Sequence, residues 1–198
     1  EISPQINEAT IRLLNRHGVE VVVPKKIRCC GSLNHHLGKE EDAHQDFKNN
    51  INIWYEEHQK GNLDAILSNT SGCGTTMKDY GFIFRDNEEL SKKAKVISEL
   101  TRDISEYILE SLKLNIKSKG KKYKVAYHSA CSMQHGQKVH AQPISLLEKT
   151  ENEILEIPEG HICCGSAGTY NILQSKIAKQ LLKNKVINIE SLNPDFIS

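Results

Sequence analysis

The chain has 198 residues, with 26 Lys and Arg against 25 Asp and Glu and a formal net charge of +1, a length that suits one large domain or two small ones. So even a balance offers nothing to recruit nucleic acid or an anionic membrane surface. No apolar run approaches the roughly 20 residues needed to cross a bilayer. The start, Glu1-Ile2-Ser3-Pro4, lacks the basic cluster and apolar stretch of a signal peptide, so a cytoplasmic chain is expected.

Hydrophobic periodicity predicts a helix over 5–16, ended by Gly18, and then a strand over 20–23 through Val21-Val22-Val23. A long amphipathic helix over 40–59 follows, ended by Gly61, with Phe47, Ile51, Trp54 and Tyr55 on its buried face. A strand at 65–68 leads to a charged helical stretch around 88–113 and a polar break at 117–120. The pattern then resumes with strand 123–127, helix 142–149, strand 153–157, helix 174–191 and strand 195–197. Short apolar strands alternating with helices imply an α/β chain with mostly parallel sheets.

Six cysteines are present, four of them in the adjacent pairs Cys29-Cys30 and Cys163-Cys164. Neighbouring Cα atoms lie about 3.8 Å apart, below the roughly 4.4 Å minimum of an ordinary disulfide. A pair bridged to itself is therefore not expected, and a reducing compartment with a bound metal fits better.

The two pairs sit in matching surroundings. Val21-Val22-Val23-Pro24 is followed after four residues by Cys29-Cys30-Gly31-Ser32, and Leu155-Glu156-Ile157-Pro158 after four residues by Cys163-Cys164-Gly165-Ser166. A helix-like segment with a Leu-Leu pair, Leu13-Leu14 or Leu146-Leu147, precedes each strand. Downstream, Leu63 to Ser68 matches Asn193 to Ser198. A repeat of about 130 residues implies two similar, Rossmann-like halves related by an internal pseudo-two-fold duplication. The halves are expected at 1–116, with a connecting helix at its end, and 121–198. Carrying Cys73 of the first half into the second, and Cys131 of the second into the first, places both counterparts just outside the chain. A fragment of a pattern with four cysteines in each half is therefore expected.

Cys73, Cys131 and both pairs each follow a predicted strand within about six residues, the edge of an open α/β sheet at which ligands bind. Glycines accompany them: Gly31, Gly72, Gly74, Gly165 and Gly168. Glycine lets backbone approach a bulky inorganic ligand and offer N–H groups to its sulfurs. Soft thiolates select zinc, copper(I) or iron–sulfur clusters over hard cations. One upstream cysteine, a pair and one downstream cysteine make four thiolates, the number taken by a [4Fe–4S] cluster or a structural zinc. Adjacent cysteines are uncommon in zinc fingers, which favours the cluster. His35, His36, His128, His135 and His161 flank these cysteines and are better placed to hydrogen-bond a sulfur than to ligate. A redox-active or nucleophilic dithiol is the competing reading, but Cys-x-x-Cys and any recognisable Cys-His-Asn set are absent.

Four blocks carry a family resemblance: Cys29 to Gly38; Asn69 to Gly74 with Lys78-Asp79-Tyr80-Gly81; Tyr127 to Cys131 with Gln134 to Gln137; and His161 to Tyr170. Together they resemble the cysteine-rich CCG domain that occurs twice in the heterodisulfide reductase B subunit, in lactate-utilisation proteins and in the glycolate oxidase iron–sulfur subunit, the last being most alike. The resemblance implies an iron–sulfur electron-transfer subunit of a flavin-linked 2-hydroxy acid dehydrogenase. Its metal ligands would be Cys29, Cys30, Cys73, Cys131, Cys163 and Cys164, with Gly31, Gly72, Gly74, Gly165, His128 and His135 around the cofactor. It implies FAD and hydride abstraction on a partner subunit, a ferredoxin-like domain elsewhere in the full-length chain, and an acceptor at the inner face of the membrane. No catalytic residue is expected in this chain. The heterodisulfide pattern ends each repeat in Cys-x-x-Cys, whereas Thr70 stands where the partner of Cys73 would be; this disfavours a five-thiolate cluster. The alternatives are a zinc-binding docking module of the same complex and a thiol/disulfide reductase of the heterodisulfide type.

Overall fold

The computed structural model describes residues 3–61, 63–112, 114 and 120–198. The chain divides into two compact units, Glu1–Leu114 and Asn115–Ser198. The polar break predicted at 117–120 falls for the most part outside the described residues.

In the first unit α1 (Pro4–Arg16) opens on a proline in its first turn, where the missing N–H costs nothing. A short α2 (Ser32–His36) and the long α3 (Glu40–Gln59) follow. Glu40, Glu41 and Asp42 crowd the first turn of α3, where the helix dipole favours negative charge. Next come β1 (Ile66–Ser68), α4 (Ser71–Ile83), α5 (Ser91–Leu100), β2 (Thr101–Asp103) and α6 (Ile104–Ser111). β1 and β2 pair in parallel, Ile66 opposite Thr101 and Ser68 opposite Asp103. The core gathers where α3, α4 and α5 meet, around Phe47, Ile51, Tyr80, Ala94 and Ile97, with Trp54 and Tyr55 partly buried against it.

Two expectations are corrected here. The stretch around 88–113 is not one helix but α5, β2 and α6. Asp103 ends β2 and caps α6, accepting from Ser105 N–H while Glu106 accepts from Asp103 N–H at 2.8 Å. That capping box is readable as Asp-x-x-Glu and marks the break. Residues 20–23 form no strand among the described residues. A strand exists only with a hydrogen-bonded neighbour, and β1 and β2 pair with each other. Val22 and Val23 are left 54% and 74% exposed.

The second unit contains β3 (Lys124–Tyr127), a π-helical turn (Ser132–Gln137), α7 (Ala141–Glu148), β4 (Glu153–Glu156), the short α8 (Tyr170–Leu173), α9 (Ser175–Glu190) and β5 (Phe196–Ile197). All pairings are parallel, in the order β4-β3-β5. Val125 lies opposite both Ile154 and Phe196. This core is small, formed by Ala126, Ile157 and Ile189 with Leu192 against them. The parallel, α/β, two-half architecture expected from the repeat is thus what the chain adopts.

Candidate metal centre

In the first unit, α4 begins three residues after β1 and carries Cys73 in its first turn. The chain reaches the Cys29-Cys30 pair through a stretch without regular structure rather than from a strand. Two buried side chains fix its course. Asn50 of α3, fully buried, donates through Nδ2 to the carbonyls of Cys29 at 2.9 Å and Arg28 at 3.2 Å, and accepts from Arg28 N–H at 2.9 Å. Tyr80 of α4, also fully buried, donates to the Cys30 carbonyl at 2.9 Å. Thr76 donates to Ser32 Oγ at 2.9 Å, tying α4 to the turn after the pair. The result brings the Cys30 sulfur to 2.9 Å from that of Cys73. Cys29 lies within hydrogen-bonding reach of Cys30 and is exposed.

In the second unit Cys131 stands at the start of the π-helical turn after β3, within hydrogen-bonding reach of Cys163 and close enough to Cys164 to feel its charge. Cys163 and Cys164 follow β4, both half-buried. Gly165 N–H donates to the Cys163 sulfur at 3.3 Å, a backbone contact of the kind that stabilises a thiolate. Each unit thus brings an adjacent cysteine pair together with a third cysteine distant in sequence.

The glycine after each pair has a steric reason. Gly31 and Gly165 both adopt left-handed backbone, φ +75° and +85°. A Cβ on Gly31 would stand 2.4 Å from the Phe47 ring and 3.1 Å from the Ala43 carbonyl; one on Gly165 would stand 2.4 Å from the Ala178 carbonyl. The Cys-Cys turn is therefore pressed against α3 in one unit and α9 in the other. Gly72, by contrast, has open space around it, and Gly74 is buried inside α4.

Electrostatics separate the thiols. The Cys30 S–H donates to Cys73, and this, with burial, pushes Cys30 well above the ordinary thiol range. The same hydrogen bond lowers Cys73. Burial and the neighbouring Cys163 raise Cys131. The thiolate is the reactive form, so in metal-free protein Cys73 is expected to reach half-maximal labelling by iodoacetamide at lower pH than Cys131. Peptide mass spectrometry across a pH series reads this directly, and the reverse order would exclude the Cys30–Cys73 hydrogen bond in solution.

Among the described residues, no three His, Cys, Asp or Glu side chains converge as a ready site for a single metal ion. Burial, with a smaller contribution from Lys185, lowers the pKa of His128. His128 lines a cavity of about 680 Å³ with Ser129, His140 and His161 at the C-terminal edge of β3 and β4. His135 is exposed. His35 Nδ1 is shielded from solvent with no hydrogen-bond partner among the described residues. The sequence gives no signal for Asn50 or Lys185, whereas Tyr80 lies in the Lys78 to Gly81 block that carries the resemblance. Asn50 and Lys185 each lie seven residues after the alanine that faces the glycine turn, a correspondence seen only in the structure.

A family model described as a cysteine-rich domain, CCG, matches residues 1–78 and 125–198. The chain is 35% identical over 196 residues to the glycolate oxidase iron-sulfur subunit of Escherichia coli (strain K12), covering 99% of this chain and 48% of that protein. It is 28% identical to lactate utilization protein A of Geobacillus sp. (strain WCH70), covering 96% and 78%. It is 27% identical to the probable glycolate oxidase iron-sulfur subunit of Bacillus subtilis (strain 168), covering 93% and 41%. The chain thus spans about half the length of the glycolate oxidase relatives it matches. With a Cys-Cys-Gly turn, its supporting helix and a third cysteine found once in each unit, the chain belongs to the CCG cysteine-rich domain family and carries that domain twice.

Proposed function

We propose that this chain is part of the iron–sulfur electron-transfer subunit of a flavin-linked 2-hydroxy acid dehydrogenase of the glycolate oxidase type. The observation that carries the reading is the gathering of three cysteines in each unit, Cys29, Cys30 and Cys73 in one and Cys131, Cys163 and Cys164 in the other. The names of the relatives, a glycolate oxidase iron-sulfur subunit and a lactate utilization protein, support it.

The residues fit an iron–sulfur cluster. The donors are soft thiols, the turns of Gly31 and Gly165 hold backbone close, and one backbone N–H already points at a sulfur. A single zinc ion would also take thiolates, each about 2.3 Å from the metal. A [4Fe–4S] cluster spreads its ligands more widely and in each unit would take its fourth ligand from outside the six cysteines. When bound, such clusters relay single electrons. The chain's own residues hold and shape the site: Asn50 and Tyr80 fix the Cys29-Cys30 turn, and Gly165 N–H meets Cys163. The flavin would belong to a partner subunit, a ferredoxin-like domain to the rest of the subunit, and the acceptor to the membrane, on the cytoplasmic side. No helix among the described residues is long and apolar enough to cross a membrane.

The test is metal content in the full-length subunit, purified anaerobically with its flavin partner. Brown protein with iron and labile sulfide is expected, and Cys30→Ser or Cys164→Ser should each remove about one cluster. Colourless protein loaded with zinc would instead support a structural docking module, and unchanged iron in both variants would remove the ligand assignment.

A further inference from the structure

In the first unit the sulfurs of Cys30 and Cys73 stand 2.9 Å apart, closer than a shared metal would hold them. On one tetrahedral ion, with each thiolate about 2.3 Å from the metal, neighbouring sulfurs are about 3.8 Å apart. A disulfide needs about 2.05 Å. The pair is thus about 0.9 Å from a covalent bond on one side and about 0.9 Å from ligand geometry on the other.

The fold holds this approach from both sides. Asn50 and Tyr80 fix the turn at the carbonyls of Cys29 and Cys30. Cys73 lies one helical turn before Thr76, which donates to Ser32 Oγ two residues beyond Cys30. Both cysteines pack in the same core as Phe47 and Tyr80, whose rings are 4.9 Å apart. Groups held in contact by packed elements react as if highly concentrated. Cys29 does not compete: it is too near Cys30 along the chain for an ordinary bridge, and it reaches Cys73 through its charge and not through a hydrogen bond.

We propose that Cys30 and Cys73 are the site of a reversible cross-link, formed when hydrogen peroxide reaches the first unit before a metal is bound or after it is lost. Cys73 is half-buried and Cys30 only 9% exposed, so the peroxide meets Cys73 first. The Cys73 thiolate attacks one peroxide oxygen, the O–O bond breaks, one water departs, and a sulfenic acid is left. The Cys30 sulfur then attacks the Cys73 sulfur, the S–S bond forms, and the hydroxyl leaves as a second water. Two electrons pass from the two sulfurs to the peroxide, and the two thiol protons leave in the waters. A thiol in contact captures the sulfenic acid before more peroxide takes it to the irreversible sulfinic acid. The cross-link also withdraws two of the three thiolates in this unit, closing the site to metal until a reductant reopens it. The proposal concerns the thiols themselves, so it is independent of whether the resident metal is iron or zinc.

The experiment treats the full-length subunit, stripped of metal under argon, with hydrogen peroxide, blocks it with iodoacetamide and digests it with trypsin without reductant. Cleavage after Arg28, Lys39, Lys60 and Lys78 puts Cys29 and Cys30 on one peptide and Cys73 on another. Mass spectrometry should find these two peptides joined, with Cys29 alkylated, and dithiothreitol should separate them. Cys29→Ser should keep the cross-link, while Cys30→Ser should lose it and leave Cys73 as sulfinic acid. Metal uptake by the peroxide-treated parent should fall by one site and return after dithiothreitol. A bridge from Cys73 to Cys29, or sulfinic acid at Cys73 of the parent with no bridge, would overturn the proposal. Full metal uptake by completely cross-linked protein would overturn the closing of the site.

Discussion

Gly165→Ala is expected to destabilise the second unit by about 3 kcal/mol or more and to displace Cys163 and Cys164. Left-handed backbone costs a residue with a Cβ roughly 1–2 kcal/mol, and forcing an extra methyl into packed structure adds about 1–3 kcal/mol. The obstacle at Gly165 is the Ala178 carbonyl, 2.4 Å from the position of the new Cβ. A backbone atom inside a helix has no rotamer through which to yield, so α9 itself must shift or the turn must open. Gly31→Ala should cost less, since its first obstacle is the Phe47 ring, although that ring is fully buried. Urea unfolding of each variant, with metal content after reconstitution, gives both readings. A Gly165→Ala protein with parental stability would mean that the Cys-Cys turn does not press on the helix.

Asn50→Ala should cost about 2–4 kcal/mol. It strands the Arg28 N–H and the carbonyls of Arg28 and Cys29, three groups that Asn50 satisfies from a fully buried position; each unsatisfied buried group costs roughly 1–3 kcal/mol, and entry of water recovers part of the total. Asn50→Asp should be no milder despite its matching shape, because a carboxylate cannot donate and would face two carbonyl oxygens. With the brace gone, the nearly buried Cys30 should become accessible. Hydrogen exchange at residues 28–30 and the alkylation rate of Cys30 should rise together. A rise in neither would show that Tyr80, through the Cys30 carbonyl, holds the turn alone.

Much of this architecture is readable from the residues, and what is not has physical causes. The helices α1, α3, α7 and α9 and the strands β1, β3, β4 and β5 appear close to their predicted places, because each carries its own hydrophobic period. The helix α4 escapes because its first turns, Ser71-Gly72-Cys73-Gly74-Thr75-Thr76, are poor in helix formers; packing of Met77 and Tyr80 in the core supplies what propensity lacks. β2 escapes because three residues between two helices show no alternation. The valines of 20–23 mislead in the opposite sense, since β-branched side chains favour a pleated surface without supplying the neighbour that makes one. At the site, cysteines and glycines announce themselves by type and spacing. Asn50 and Lys185 do not, because their partners are backbone carbonyls, which every residue possesses.

The bare Val21-Val22-Val23 segment has a consequence for the protein's surface. Val22 and Val23 put two β-branched side chains into solvent from a stretch that joins no sheet among the described residues. A lysine at Val23, the more solvent-facing of the two, would replace that apolar surface with charge and leave the Cys29-Cys30 turn untouched.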